Sequence, residues 1–266
     1  LAETVGVRAA GRLARVDQGT VLRILESAGE HCARFLDAKV RDVKVSLIQA
    51  DEVFSYVGCK PVHTTEDDPE RGAFFMYFCV AQKEKLIINY RVAKRCGEEA
   101  REFLRDLRSR VSTWFQFTTD SWRGYVDANY SSGNVQRMLH DVCDYATETK
   151  RFKKDYAAVS FADRFWAPKV IAVARKARFG NPDLSVATTC HIERTNLSLR
   201  TFARRFVRCT INFSKKLENH RHAVALFVAT FNFCKIHKSL GGRTPAQAAG
   251  LTDHVWTVAE LLSATI

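Results

Sequence analysis

The sequence predicts an α/β fold, a mixed β-sheet with flanking helices, preceded by a small helix-turn-helix segment. Three observations predict it. Residues 45–58, VSLIQADEVFSYVG, are rich in the β-branched and aromatic side chains that favour strands. Two further strand patterns, 73–81 and 86–93, flank the short polar turn 82–85 and read as a hairpin. From 97 to 111 the apolar period becomes helical, with Ala100, Phe103, Leu104 and Leu107 inward.

In chain order, residues 5–30 read as two short helices separated by a break of three or four residues, which suits a helix-turn-helix. Val7, Ala10 and Leu13 mark the first helix. Asp17 is the expected N-cap of the second, Val21, Leu22 and Leu25 its apolar side, and Gly29 its end. Gln18, Thr20 and Arg23 are then the candidates to face DNA. A plain helical hairpin fits these residues equally well, because Ala14-Arg15 stand in the turn where glycine is common. The chain opens on Leu1, and the expectation is an incomplete start with an upstream module missing.

The first strand carries two acids in its middle, Asp51 and Glu52. A buried acid is costly unless it is paired or binds a metal. Successive strand residues face opposite ways, so Glu52 is expected to face away from a site lined by Asp51, or to support it from behind. Residues 63–71 form a polar loop. A fourth strand, 115–119, ends at Asp120. Acids at strand ends in open α/β sheets line sites, although helix N-capping is the commoner role of such an aspartate. Residues 134–146 read as helix, and a short strand is expected at 156–160 inside the basic stretch 150–178.

A long amphipathic helix is expected from Cys190 onward. Leu199, Phe202, Phe206, Cys209 and Phe213 form its apolar side, while Glu193, Asn196, Arg200 and Arg204 run along another. A surface helix whose glutamate complements the helix dipole accounts for this stretch taken alone. A buried helix follows at 217–237. Thr244-Pro245 starts a short helix that Gly250 ends, and Val255, Trp256, Val258 and Leu261 pack the tail.

The formal charge of +12 calls for a polyanionic partner, nucleic acid or an anionic membrane. No apolar run reaches the roughly 18 residues needed to span a bilayer, and nothing at the start resembles a signal peptide. Nucleic acid is therefore the expected partner, and a membrane is not. Eight cysteines without a C-x-x-C pair fit a reduced cytoplasmic protein rather than a disulfide scaffold or a structural zinc site.

The acids Asp51, Asp120 and Glu193 stand on two strands and a helix. That is how a ribonuclease H-like core holds two divalent metals for phosphoryl transfer. Magnesium prefers carboxylate and water oxygens, so aspartate and glutamate are the expected ligands. The motifs DEVFSYVGCK (51–60), TDSWRGY (119–125) and HIERTNLSLRTFARRFVRCTINFSKKLENH (191–220) resemble those of DDE transposases of the insertion sequence one family. The tail NFCKIHKSLGGRTPAQAAGLTDHVWTVAELL is similar to the extended C-terminus of relatives of that family, so the resemblance covers nearly the whole chain. The family usually has glycine after its second acid, where Ser121 stands here.

The resemblance implies a helix-turn-helix segment over 1–43, a ribonuclease H-like catalytic domain over 44–238 and a helical tail over 239–266. It implies two Mg²⁺ or Mn²⁺ ions on Asp51, Asp120 and Glu193, and strand cleavage at element ends followed by transfer into target DNA. DNA is the implied partner, as terminal inverted repeats and target, with homo-oligomer assembly on it in the bacterial cytoplasm at the nucleoid. Arg194, Asn196, Arg200, Arg204, Lys215 and Lys216 are candidate phosphate contacts. Two alternatives stay open: a catalytically decayed DNA-binding repressor of the element, and a ribonuclease H-type nuclease.

Overall fold

The computed structural model describes residues 1, 5–64, 68–126, 138–152, 169–207 and 212–265. Six strands form one sheet: β1 (Leu47–Val57), β2 (Gly72–Ala81), β3 (Ile87–Ala93), β4 (Phe115–Thr119), β5 (Cys143–Phe152) and β6 (Val170–Phe179). Their spatial order is β3-β2-β1-β4-β5-β6. The first three form an antiparallel meander, which short turns can close. β4 then lies parallel to β1, and β5 parallel to β4. A parallel neighbour needs a crossover, and helix α3 (Gly97–Arg110) supplies it between β3 and β4. β6 returns antiparallel to β5. This is the expected mixed sheet with flanking helices.

Six further helices complete the set among the described residues: α1 (Val7–Ala14), α2 (Gln18–Lys39), α4 (Cys190–Phe202), α5 (Leu217–Phe233), α6 (Pro245–Ala248) and α7 (Val258–Ser263). Asp17 caps α2 as its sequence predicts, accepting from the Thr20 backbone N–H at 3.1 Å. The helix does not end at Gly29. It continues to Lys39 and buries Val21, Leu25, Cys32, Phe35 and Leu36. Gly29 faces His222 of α5 so closely that a β-carbon there would stand 2.3 Å from the His222 Cβ. Glycine serves here as a contact between two helices, not as a stop signal. One continuous core runs from Leu25 of α2 through the sheet to Ala246 and Leu261 of the tail.

Three other expectations change. Cys143–Phe152 is a strand, so the helix expected over 134–146 does not extend through its last residues; residues 134–137 lie outside the described set. The alternation of Cys143, Tyr145 and Thr147 on the buried side carried the strand signal. The long helix expected from Cys190 stops at Phe202, and Arg204–Phe206 form a 3₁₀ turn. Arg204 therefore leaves the side that Glu193, Asn196 and Arg200 share. The strand expected at 156–160 and the predicted core residue Cys209 lie outside the described residues.

α5 is buried nearly all round, as its apolar sequence requires. Its Asn232 accepts from the Ile87 N–H at 3.0 Å and donates to the Ile87 carbonyl at 2.8 Å. One amide side chain thus satisfies both backbone groups of a residue on the edge strand. No helix among the described residues is long and apolar enough to cross a membrane.

Candidate metal centre

The register of the sheet builds the site. Ala50 of β1 pairs with Thr119 of β4, and that pair is the last between the two strands. The next residues, Asp51 and Asp120, therefore stand side by side. Beyond Thr119 the β4 side of β1 has no strand pairing, so Glu52 can turn around the open edge. Asp51, Glu52 and Asp120 each bring a carboxylate oxygen within 4.8 Å of the others. The alternation rule placed Glu52 either away from the site or in support of it from behind; the structure brings its carboxylate into the cluster, just past the last pair of β1 with β4.

Three backbone and side-chain contacts hold these acids. The Trp122 N–H donates to Asp120 Oδ1 at 2.9 Å, a tight turn formed without the glycine usual after the second acid. Arg95 donates to Glu52 Oε2 at 3.2 Å and lays its guanidinium over the Trp122 ring, 4.4 Å from the centroid. Asn196 of α4 donates from Nδ2 to Asp51 Oδ2 at 2.8 Å. Burial, then the Asp120 charge, pushes the Asp51 carboxyl up to about 7, and Glu193 adds to the rise. Burial, then Asp51 and Asp120, pushes Glu52 up to about 8, against the opposing pull of Arg95.

Glu193 lies on the first turn of α4, one turn before Asn196 on the same side. It is not one of the three clustered carboxylates. Its Oε1 accepts from Thr189 Oγ1 at 2.7 Å and from Lys150 of β5. Sequence reasoning missed the residues that anchor this turn. The buried Gln49 of β1 accepts the N–H groups of His191 and Ile192 at 3.0 and 2.9 Å, satisfying free donors of the helix start. Glu148 of β5, also buried, accepts from the Thr189 N–H and hydroxyl at 3.0 Å each and from Arg175 at 3.1 Å. Burial raises the Glu148 pKa, but these donors outweigh it and leave the group below its ordinary value. A glutamine in the apolar run LIQAD was the sequence signal for Gln49; nothing local distinguishes Glu148 from a solvated acid.

The remaining candidates are spread out. Arg194 and Arg204 are exposed, and Arg200 is half-buried on α4. Lys215 and Lys216 are exposed just before α5, Lys215 with its ammonium 3.4 Å from the Phe213 ring centroid. Gln18 and Arg23 are exposed on α2, and Arg23 donates to the half-buried Thr20 at 3.0 Å. His191 meets Lys85 Nζ through Nδ1 at 2.7 Å. His220 is sealed in the core between Ser55 and Ser214, 3.0 Å from each hydroxyl, and fills a packing role.

The cluster fits a divalent cation. Its donors are carboxylate oxygens, the ligands that Mg²⁺ and Mn²⁺ take. Glu52 Oε1 and Asn196 Oδ1 are buried without a hydrogen-bond partner. Asp51 and Glu52 resist ionising together this close to each other and to Asp120, and a cation between them removes the conflict.

No family model matches the sequence, and no curated protein matches it. Among solved structures, the chain is similar to the catalytic core domain of BIV integrase, with 12% identity and a TM-score of 0.36 over 76% of this chain and 92% of that one. It is also similar to Mos1 transposase, solved as a paired-end complex with the left transposon end, with 12% identity and a TM-score of 0.25. That second match covers 53% of this chain and 54% of the other, about half of each.

Proposed function

We propose that the protein is a metal-dependent DNA strand-cleaving and strand-transferring enzyme, a DDE transposase of the kind its motifs resemble. The observation that carries this reading is the meeting of Asp51, Glu52 and Asp120 at the open end of β4, with Asn196 tying the Glu193 helix to Asp51. Asp51, Asp120 and Glu193 would hold two Mg²⁺ or Mn²⁺ ions, with Glu52 beside them. Bound there, such ions polarise a phosphoryl oxygen and make water or a 3′-hydroxyl a competent nucleophile.

The chain's own residues do the rest. Asn196 fixes the orientation of Asp51, and the Trp122 N–H fixes that of Asp120. Lys150 holds Glu193 and places a cation beside the acids. Arg194, Arg200, Arg204, Lys215 and Lys216 supply phosphate contacts, and Gln18, Thr20 and Arg23 face the DNA of the element ends. Positioning and charge suffice for the chemistry without a covalent protein–DNA intermediate.

The test is end cleavage, with Mg²⁺, on labelled duplexes carrying the sequences on either side of the reading frame. Asp120→Asn is expected to bind these duplexes as the wild type does and to lose nicking by ~10²- to 10³-fold, the scale on which removing a transition-state charge stabiliser acts. A variant that still cuts would refute the assignment.

A second reading, a DNA-binding repressor without cleavage, is favoured by the engagement of Glu193 with Lys150 and Thr189 instead of the acid cluster. Binding without nicking by the wild type in the same assay would decide for it.

A further inference from the structure

A cleft of about 830 Å³ separates α1 from the chain that follows α4. Arg8 and Arg12 of α1 line one side, and Arg204, Arg205 and Lys215 line the other. No aspartate or glutamate among the described residues lines it. Five cations of one sign around one concavity repel each other and concentrate counter-anions there. Arg205 is the most confined of them. It donates to the Asn219 carbonyl at 3.1 Å and to Ser214 Oγ at 3.4 Å, and burial lowers its pKa to about 10. Both partners are neutral, so its charge is solvated by dipoles and faces the cleft uncompensated by any described carboxylate.

We infer that this cleft is a sequence-independent track for the DNA phosphate backbone, with Arg8, Arg12 and Arg205 as contacts alongside Arg204 and Lys215. The inference rests on the DNA-processing reading above. It assigns α1 a backbone-holding role in addition to any base reading by α2. An acidic protein segment is the competing occupant. Apolar side chains, Val7, Leu13, Leu22 and Phe213 among them, also line the cleft, but every charged side chain among its described residues is a cation, and such a set fits the evenly spaced phosphates of DNA.

The experiment measures binding of the full chain to a mixed-sequence DNA duplex by fluorescence anisotropy, with a chelator present so that no strand is cut. Salt is varied from about 50 to about 200 mM. Each phosphate contact contributes about 0.9 to the slope of log K against log salt. Arg8→Gln with Arg12→Gln is expected to reduce that slope by about 1.8 and to weaken binding at least ~10-fold at the low-salt end. Lys215→Gln, on the opposite wall, is expected to reduce the slope by about 0.9. Arg105→Gln, an exposed cation of α3 outside the cleft, keeps the wild-type slope. Circular dichroism of each variant checks that the fold is intact.

An unchanged slope and affinity in both cleft variants overturns the inference, as does a wild type that does not bind the duplex. A polyglutamate probe that loses affinity in the variants while the duplex does not would identify an acidic protein partner and equally overturn it. Failure of the cleavage reading shows differently: the slopes change as expected while Mg²⁺ produces no nicks.

Discussion

Asn196 Nδ2 donates to Asp51 Oδ2 at 2.8 Å, joining α4 to the centre of β1 across 145 residues of chain. The contact sets both where Asp51 points and where Glu193, one turn earlier on the same helix, can reach. Asn196→Ala is expected to lower strand cleavage ~10- to 100-fold, the range typical for removal of a group that orients a metal ligand. It should cost about 1–2 kcal/mol of stability for the lost bond. Asn196→Asp adds a negative charge to the cluster. Its melting temperature should fall below that of the alanine variant in chelator and recover on addition of Mg²⁺ or Mn²⁺. Calorimetric melting with and without the ions reads this directly.

The metal-free protein should lose stability as pH rises. The folded-state pKa of Asp51 is raised from 3.8 to about 7 and that of Glu52 from 4.5 to about 8. Across that window the folded chain binds more protons than the unfolded chain, so the unfolding free energy falls with increasing pH. The penalty is nil below the unfolded values and complete above the folded ones. His220 acts in the opposite sense: burial, then Arg205, lowers its pKa to about 3, so its contribution is lost as pH falls from 6.5 toward 3. In a His254→Gln background, which removes the histidine whose pKa Asp253 and Glu260 raise, the interval from about pH 6.5 to about pH 8.5 therefore isolates the carboxylates. In chelator, the melting temperature should drop across it. Glu52→Gln should flatten the drop, and saturating Mn²⁺ should abolish it. A profile unchanged in Glu52→Gln would contradict the buried placement of this side chain.

Asn232→Ala should destabilise the fold by about 2–4 kcal/mol, because it strands both the N–H and the carbonyl of Ile87 inside the protein. Urea denaturation measures the loss. Hydrogen exchange should show the Ile87 amide losing protection before its neighbours on β3.

Gly29→Ala tests the α2–α5 contact. The added carbon would stand 2.3 Å from His222 Cβ and 2.5 Å from its Cα, so backbone must move. Overpacking of this kind costs about 1–3 kcal/mol, more than the roughly 0.5–1 kcal/mol that alanine gains over glycine inside a helix. Net destabilisation in urea is the expected result, and His222→Ala should not relieve it, since alanine keeps the Cβ and Cα that clash.

Gln49 holds the start of α4 through two backbone donors, so Gln49→Leu should unseat Glu193 while leaving Asp51 and Asp120 in register. Cleavage should fall ~10- to 100-fold with duplex binding retained, in the manner of a positioning residue. Equal losses in binding and cleavage would point to general unfolding.

Local chemistry made much of the fold legible beforehand. The strands β1 to β4 and helix α3 follow from apolar period and turn residues, which act over a few neighbours. So do the Asp17 cap and the start of α6 at Thr244-Pro245. Asp51 and Asp120 stood out because acids in or at the end of an apolar strand need a reason to be there. Gly29 misled, because a glycine that ends a helix and one that admits a neighbouring helix look alike along the chain. β6 was hidden by its charges: an edge strand exposed on both faces has no alternating pattern to display.

By itself, then, the sequence determined the local elements, the basic balance of charge and the acids that could matter. Tertiary structure alone decided that Glu52 joins them, since this depends on β4 stopping at Thr119. It alone decided that Glu193 meets Lys150 and that Gln49 and Glu148 anchor its helix. The reason is physical: a strand or a cap forms from forces between near neighbours. Which carboxylates share a space is set by strand register and helix docking between segments some hundred residues apart, and no local pattern encodes that distance.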